Sequence, residues 1–260
     1  MAWPRTPWAI SNPLNVSPRD SARSFSAGFA RRQSTDSGKY PFATWGMATA
    51  AIATVIALVA GIFLSIPIFV LDSSPVDGDS STWASVATQF LTGAGFLLVS
   101  FMVSLAYGGN VRDVLGRLGF HRFRLSTAAK WIAIGIASYL AFNVIYSQFI
   151  TPEQDNFTGD FGPIWIQVLL VVVLAPISEE VCFRAMLFGG FRNRFSMWPA
   201  ALMAGAFFGL LHATTGWSAV PVLIFFGMVL AVVYEKTESI WPPILVHLLN
   251  NAVALTSLQS

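Results

Sequence analysis

The sequence predicts an all-α, polytopic transmembrane helix bundle of about seven spans, with its N-terminus in the cytoplasm. Three observations carry that expectation. The 260 residues are 55% hydrophobic and only 11% charged, against about 25% charged residues in a soluble domain. Apolar stretches near the ~20 residues needed to cross ~30 Å of hydrocarbon recur along the chain. Lys and Arg fall in every second connection between them and are missing from the others.

Residues 1–43 are polar, with Ser, Pro and Arg prominent and no apolar period. This composition predicts a mostly disordered cytoplasmic tail. It shows no apolar core followed by a small-residue cleavage site, so a secretory signal peptide is not expected; an Arg- and Ser-rich transit peptide is the lesser alternative. Residues 44–260 are expected to form the transmembrane domain. Its spans are predicted near 45–70, 84–107, 128–150, 163–190, 198–214, 217–234 and 240–258.

Tryptophan supports this division. Trp45, Trp83, Trp131, Trp165, Trp198, Trp217 and Trp241 each fall at or near the start of one span, where an amphipathic indole favours the membrane interface. Charge sets the orientation. The tail carries Arg5, Arg19, Arg23, Arg31, Arg32 and Lys39. The second connection carries Arg112, Arg117, Arg122 and Arg124, with Lys130 just beyond; the fourth carries Arg192 and Arg194, and the sixth Lys236. The alternate connections hold Asp72, Asp77 and Asp79, then Glu153, Asp155 and Asp160, with no Lys or Arg. By the positive-inside rule the first set is cytoplasmic.

One cysteine, Cys182, excludes an intramolecular disulfide and a cysteine-based zinc cage. No phosphate loop, dinucleotide fingerprint or basic nucleic-acid patch is present, so no nucleic-acid partner is expected. The expected surroundings are membrane lipid, and the cell membrane is the expected location.

Once the charges assigned to the connections, Lys130 among them, are set aside, only Glu179, Glu180 and Arg184 are charged within the spans, all in the fourth. An ionisable group at bilayer depth costs at least ~2.5 kcal/mol on insertion scales and usually serves a function. Glu180 and Arg184 are four apart on one helical face and suit a bidentate pair. Glu179 lies ~100° around the helix and is left to face a cavity. The bland alternative is a staple between helices, but two acids and one base leave a carboxylate over. Pro176, one turn earlier, removes a backbone hydrogen bond and is expected to kink the helix.

Two further spans bring polar groups to the same depth. His212 follows Phe208 by one turn, and His247 and Asn251 share a face. Asn250 does not share it, and His121, in a basic loop, reads as a surface residue. A lone histidine in an apolar helix is often a hydrogen-bonded core residue; two of them beside a surplus glutamate suggest chemistry. A carboxylate beside an imidazole can deprotonate water, and a second imidazole with an amide N–H can stabilise an oxyanion. The set therefore suits amide hydrolysis by water. Alternatively, Glu179, His212 and His247 could be ligands of a catalytic zinc; the residues leave both open. Cys182, three residues after Glu179, reads as packing rather than as a nucleophile.

Together Glu179-Glu180-x-x-x-Arg184, Phe208-x-x-x-His212 and His247-x-x-x-Asn251 resemble the signature of the CPBP intramembrane proteases. These include type II CAAX prenyl endopeptidases and bacteriocin-processing or bacteriocin-immunity (Abi) proteins. The match covers about residues 163–255. The resemblance implies an intramembrane endopeptidase in which Glu179 and His212 activate water, His247 and Asn251 form the oxyanion hole, and Glu180–Arg184 holds the helix. It implies a membrane-associated or lipidated peptide substrate, and either zinc or no metal. Prenyl proteases of the family are usually drawn with eight spans, one more than expected here. Two other readings share the residues: a proton-coupled transporter, and a non-catalytic bacteriocin-immunity membrane protein.

Overall fold

Where the sequence runs apolar for 17 residues or more, the chain is helical. In hydrocarbon the backbone must satisfy its own N–H and C=O groups, and a helix does so within one segment. The structure, a computed structural model, describes residues 43–72, 81–153 and 161–257, all within one compact unit, Tyr40–Ser260. The reading of 1–43 as a tail therefore falls outside the described residues, Ala43 excepted.

Apart from two single 3-10 turns, the described residues form eight helices in chain order: α1 Met47–Leu71, α2 Thr82–Leu105, α3 Val111–Arg117, α4 Leu125–Ser147, α5 Ile164–Arg192, α6 Met197–Leu211, α7 Val220–Thr237 and α8 Trp241–Ser257. No strand occurs among the described residues. Among the described residues, six helices are long and apolar enough to cross a membrane. The seventh expected span, α8, has 17 residues, roughly 25 Å at 1.5 Å per residue. The protein is an all-α, multi-pass integral membrane protein. The short α3 was not anticipated, although its signal was present: Asn110 and Asp113 form a reciprocal capping box at its start.

Contacts between connections sort into two ends. At the first, Asn193 donates to the carbonyls of Ala43 (2.8 Å) and Trp45 (2.7 Å). Arg192 binds both carboxylate oxygens of Glu235, at 3.0 and 2.9 Å. Arg117 donates to the Ser104 carbonyl, and the Ser239 hydroxyl donates to the His121 carbonyl at 2.7 Å. His121, expected on the surface, is half-buried by this packing. All the described Arg-bearing connections gather here. At the other end the Tyr146 hydroxyl donates to the Ser218 carbonyl (2.9 Å), and the Glu153 N–H donates to Ser218 Oγ (2.9 Å).

Apolar side chains on the outside of α1, α2 and α4 are exposed, among them Ile62, Phe63, Leu98 and Val144. Such a belt suits lipid. α5 runs through the middle, and every residue from Val181 to Phe191 is buried. Trp45 departs from the interfacial expectation: it is fully buried, and its Nε1 donates to the Met186 carbonyl at 2.8 Å. The indole is a bolt between the start of α1 and α5. The remaining spans carry more exposed tryptophans, such as Trp165 and Trp198.

α6 and α7 pack backbone to backbone. A Cβ on Gly205 would stand 2.7 Å from the Ile224 carbonyl oxygen, and one on Gly209 2.7 Å from the Ile224 nitrogen. One on Gly227 would stand 2.8 Å from the Gly205 Cα. Small residues permit this approach where no hydrophobic effect drives helices together.

Candidate active site

α5 is not a uniform α-helix. Its turns widen to π geometry over Val168–Leu174 and again over Val181–Phe188, on either side of the segment Ala175–Glu180 that bears both glutamates. Wide turns of this kind recur at functional sites. The Ala175 N–H bonds back to the Leu170 carbonyl. In that register the Val171 carbonyl would be served by residue 176, which is proline and has no N–H. Asn251 of α8 supplies the donor instead: its Nδ2 lies 2.9 Å from the Val171 oxygen. The expected effect of Pro176 is thus a freed carbonyl within a widened helix, taken by a side chain from another helix. Asn250 donates to Asn251 Oδ1 at 3.3 Å.

Glu180 is fully buried and uses both oxygens. Oε1 accepts from His247 Nδ1 at 2.8 Å, and Oε2 lies 3.1 Å from Arg184 Nε. The bidentate fork expected for this pair is not made. The one short contact is an ion pair not aligned as a hydrogen bond, and Nη1 and Nη2 of Arg184 find no hydrogen-bond partner among the described residues. The guanidinium instead lies over the Phe208 ring, 4.6 Å from its centroid, an arrangement the ring quadrupole favours.

Glu179, expected to face a cavity beside the imidazoles, lies near His247. Its Oε2 lies 3.8 Å from His247 Nε2, too far for a direct hydrogen bond. The imidazole of His247 is therefore flanked by both carboxylates. His212 sits at the end of α6, and its Nδ1 lies 2.8 Å from the Phe208 carbonyl. A carbonyl only accepts, so Nδ1 carries the proton and Nε2 of a neutral ring offers a lone pair. No direct hydrogen bond joins His212 to Glu179 among the described residues.

The ring of Phe208 gathers the rest. It lies 4.9 Å from the His212 ring and 5.7 Å from the His247 ring. Phe226 closes on His247 from α7 at 5.3 Å, edge to face. Of the six candidates, Glu179, Glu180, Arg184 and His247 meet directly, His212 joins through Phe208, and Asn251 is tied to α5 one turn beyond His247. Cys182 is buried, and its partners are Thr54 of α1 and Ser100 of α2.

Among the described residues no three His, Cys, Asp or Glu side chains form a group that could hold a metal ion. The trio Glu179, His212 and His247 thus does not fit a zinc ligand set in this arrangement.

Residues 161–253 match the family of type II CAAX prenyl endopeptidases, Rce1-like. The chain is also 31% identical over 128 residues to UPF0177 protein YxdF of Lactococcus lactis, covering 45% of this chain and 70% of that one. It belongs to the Rce1-like family of CPBP intramembrane proteases. Membrane-embedded CAAX protease MroQ of Staphylococcus aureus is 23% identical over 136 residues, 46% of this chain and 54% of that protein. Putative membrane peptidase YdiL of Bacillus subtilis is 29% identical over 102 residues. That alignment spans 38% of this chain and 41% of YdiL. No solved structure matches the chain with comparable significance. The Rce1-like match begins just before α5 and runs into α8, so it takes in every residue of the cluster.

Proposed function

We propose that this Rce1-like protein is an intramembrane endopeptidase that cuts a peptide bond of a membrane-associated substrate, with water as the direct nucleophile. The observation that carries this reading is the flanking of one buried imidazole by two carboxylates: Glu180 at Nδ1 (2.8 Å) and Glu179 at Nε2 (3.8 Å). A staple between helices needs only the first contact. The second leaves a carboxylate edge and an imidazole edge facing each other with a gap between them.

In the proposed reaction Glu179 takes a proton from water as the water oxygen bonds to the scissile carbonyl carbon, with the Nε2 lone pair of His212 helping to orient that water. The carbonyl π electrons move to oxygen. His247 Nε2–H and the second N–H of Asn251 donate to that oxyanion. Its collapse breaks the C–N bond, and Glu179 returns the proton to the leaving amine. A ring that donates from Nε2 while Nδ1 is held by Glu180 carries both protons, which accounts for a carboxylate behind it. The widened turns and Pro176 serve this step by making Val171 a fixed anchor for Asn251.

We place the Arg-bearing end in the cytoplasm on the sequence rule and the protein in the cell membrane. The test is cleavage of a fluorogenic apolar peptide by purified protein in detergent, wild type against Glu179→Gln. Release of a fragment by the wild type alone supports the reading. Equal release by both, or by neither across a panel of apolar peptides, rejects it.

A further inference from the structure

An open cavity lies beside the turns that follow His212. These are two tight turns, Ala213–Thr215 and Trp217–Ala219, that join α6 to α7. Together with Glu153 from the end of the α4 connection, residues 213–218 line the cavity, of about 650 Å³. Ala213, the residue after His212 in the chain, is one of its lining residues. The cavity is on the end of the bundle opposite the arginines.

Two observations on its lining point to one ligand chemistry. The first is Glu153. Its backbone is clamped to Ser218, N–H to Oγ at 2.9 Å and Oγ to carbonyl at 3.4 Å, while its carboxylate has no hydrogen bond or ion pair among the described residues. The clamp holds the backbone of Glu153 on the rim, and no described cation pairs with its carboxylate. The second is Trp217, 73% exposed although it is a large indole. A free carboxylate and an open indole face lining the same cavity both attract an ammonium or guanidinium group. No Lys or Arg lines the cavity, and the connections at this end carry none in sequence.

We propose that this cavity is a subsite for a basic residue, Lys or Arg, of the peptide substrate. This rests on the peptidase reading for its purpose, but not for its binding chemistry. A free C-terminal carboxylate lodged in the same place would meet Glu153 and be disfavoured, so the inference favours internal cuts flanked by a basic residue.

The experiment uses the full chain carrying Glu179→Gln, purified in detergent, and two fluorescein-labelled peptides that share an apolar stretch and end in amidated Lys-Lys or Glu-Glu. Fluorescence anisotropy should give roughly three- to tenfold tighter binding of the Lys-Lys peptide, in line with one or two partly exposed charge contacts. Glu153→Gln should abolish the preference, Glu153→Lys should reverse it, and Trp217→Ala should weaken the Lys-Lys peptide more than the other. Equal affinity for the two peptides, or a preference that survives Glu153→Lys, overturns the subsite. Turnover of the same peptides by the wild-type site separates the two proposals. Preference without cleavage removes the peptidase and keeps the subsite; cleavage without preference does the opposite.

Discussion

Glu180 and His247, 67 residues apart in sequence, meet at 2.8 Å inside the bundle with neither side chain more than 4% exposed. Glu180 is therefore more than the helix-holding partner of Arg184. It fixes the ring orientation of His247, and through that ring the edge presented to Glu179.

The two roles of Glu180 separate in a double variant. Arg184→Ala alone leaves a buried carboxylate with less compensation, which costs on the order of 3–5 kcal/mol, so folded protein in membranes should fall sharply. Glu180→Gln with Arg184→Met removes both charges and should restore yield, because a buried pair replaced by neutral groups of similar size is often neutral for stability. Turnover should stay low, since His247 keeps no anionic partner at Nδ1. Yield is read by detergent-resistant monomer on size exclusion, and turnover by peptide cleavage. Full turnover in the double variant would return Glu180 to a purely structural role.

Glu179→Gln should lower turnover by about 10²–10⁴-fold, the range for loss of a positioned general base, with the thermal midpoint in detergent little changed. Its side chain is 16% exposed and makes no hydrogen bond on which the fold depends. A variant that unfolds instead would mark Glu179 as a packing residue.

Pro176→Ala supplies the N–H that this position lacks. The new donor should compete with Asn251 for the Val171 carbonyl and so release the carboxamide. Turnover should fall roughly tenfold while stability holds or rises, because proline inside a helix costs about 3 kcal/mol. Asn251→Ala should lower turnover in the wild-type background and add little to Pro176→Ala. Additive losses would show that the two residues act independently.

Chelators should leave cleavage intact: incubation with 1,10-phenanthroline at roughly millimolar concentration, then dialysis, should change the rate by less than about twofold, given a donor set that does not gather three ligands. Loss of activity restored by zinc would reinstate the metal route.

Orientation can be read with single cysteines, because Cys182 is buried. Thr214→Cys lies in the exposed turn at the cavity, and Val111→Cys, 74% exposed, lies at the arginine end. A membrane-impermeant maleimide should label the first in intact cells and the second only after permeabilisation. The reverse pattern inverts the assignment of faces.

The spans were legible because hydropathy, tryptophan and charge repeat along the chain, and each predicted boundary falls within about four residues of a helix end. The residues of the cluster were legible as polar groups out of place in oil. Their pairing was not. Spacing of four joined Glu180 to Arg184, but no periodicity within a helix can reveal that a histidine on α8 would take the other oxygen. Nor does local sequence announce that Trp45 turns inward, since an indole at a span start suits both an interface and a carbonyl on a neighbouring helix. The widened turns of α5 had one local sign, Pro176, and it pointed to a kink. Which carbonyl was freed depended on the register of the preceding turn, and the donor that took it came from 80 residues away.

The contact of α6 with α7 has a mechanical consequence. With glycine at 205, 209 and 227 there is almost no layer of side chains between the two backbones to compress or slide. The pair should move as one rod, carrying His212 at its tip. Room for an incoming peptide then has to come from the other side of the cluster, where whole side chains separate the helices and can change rotamer to let them part.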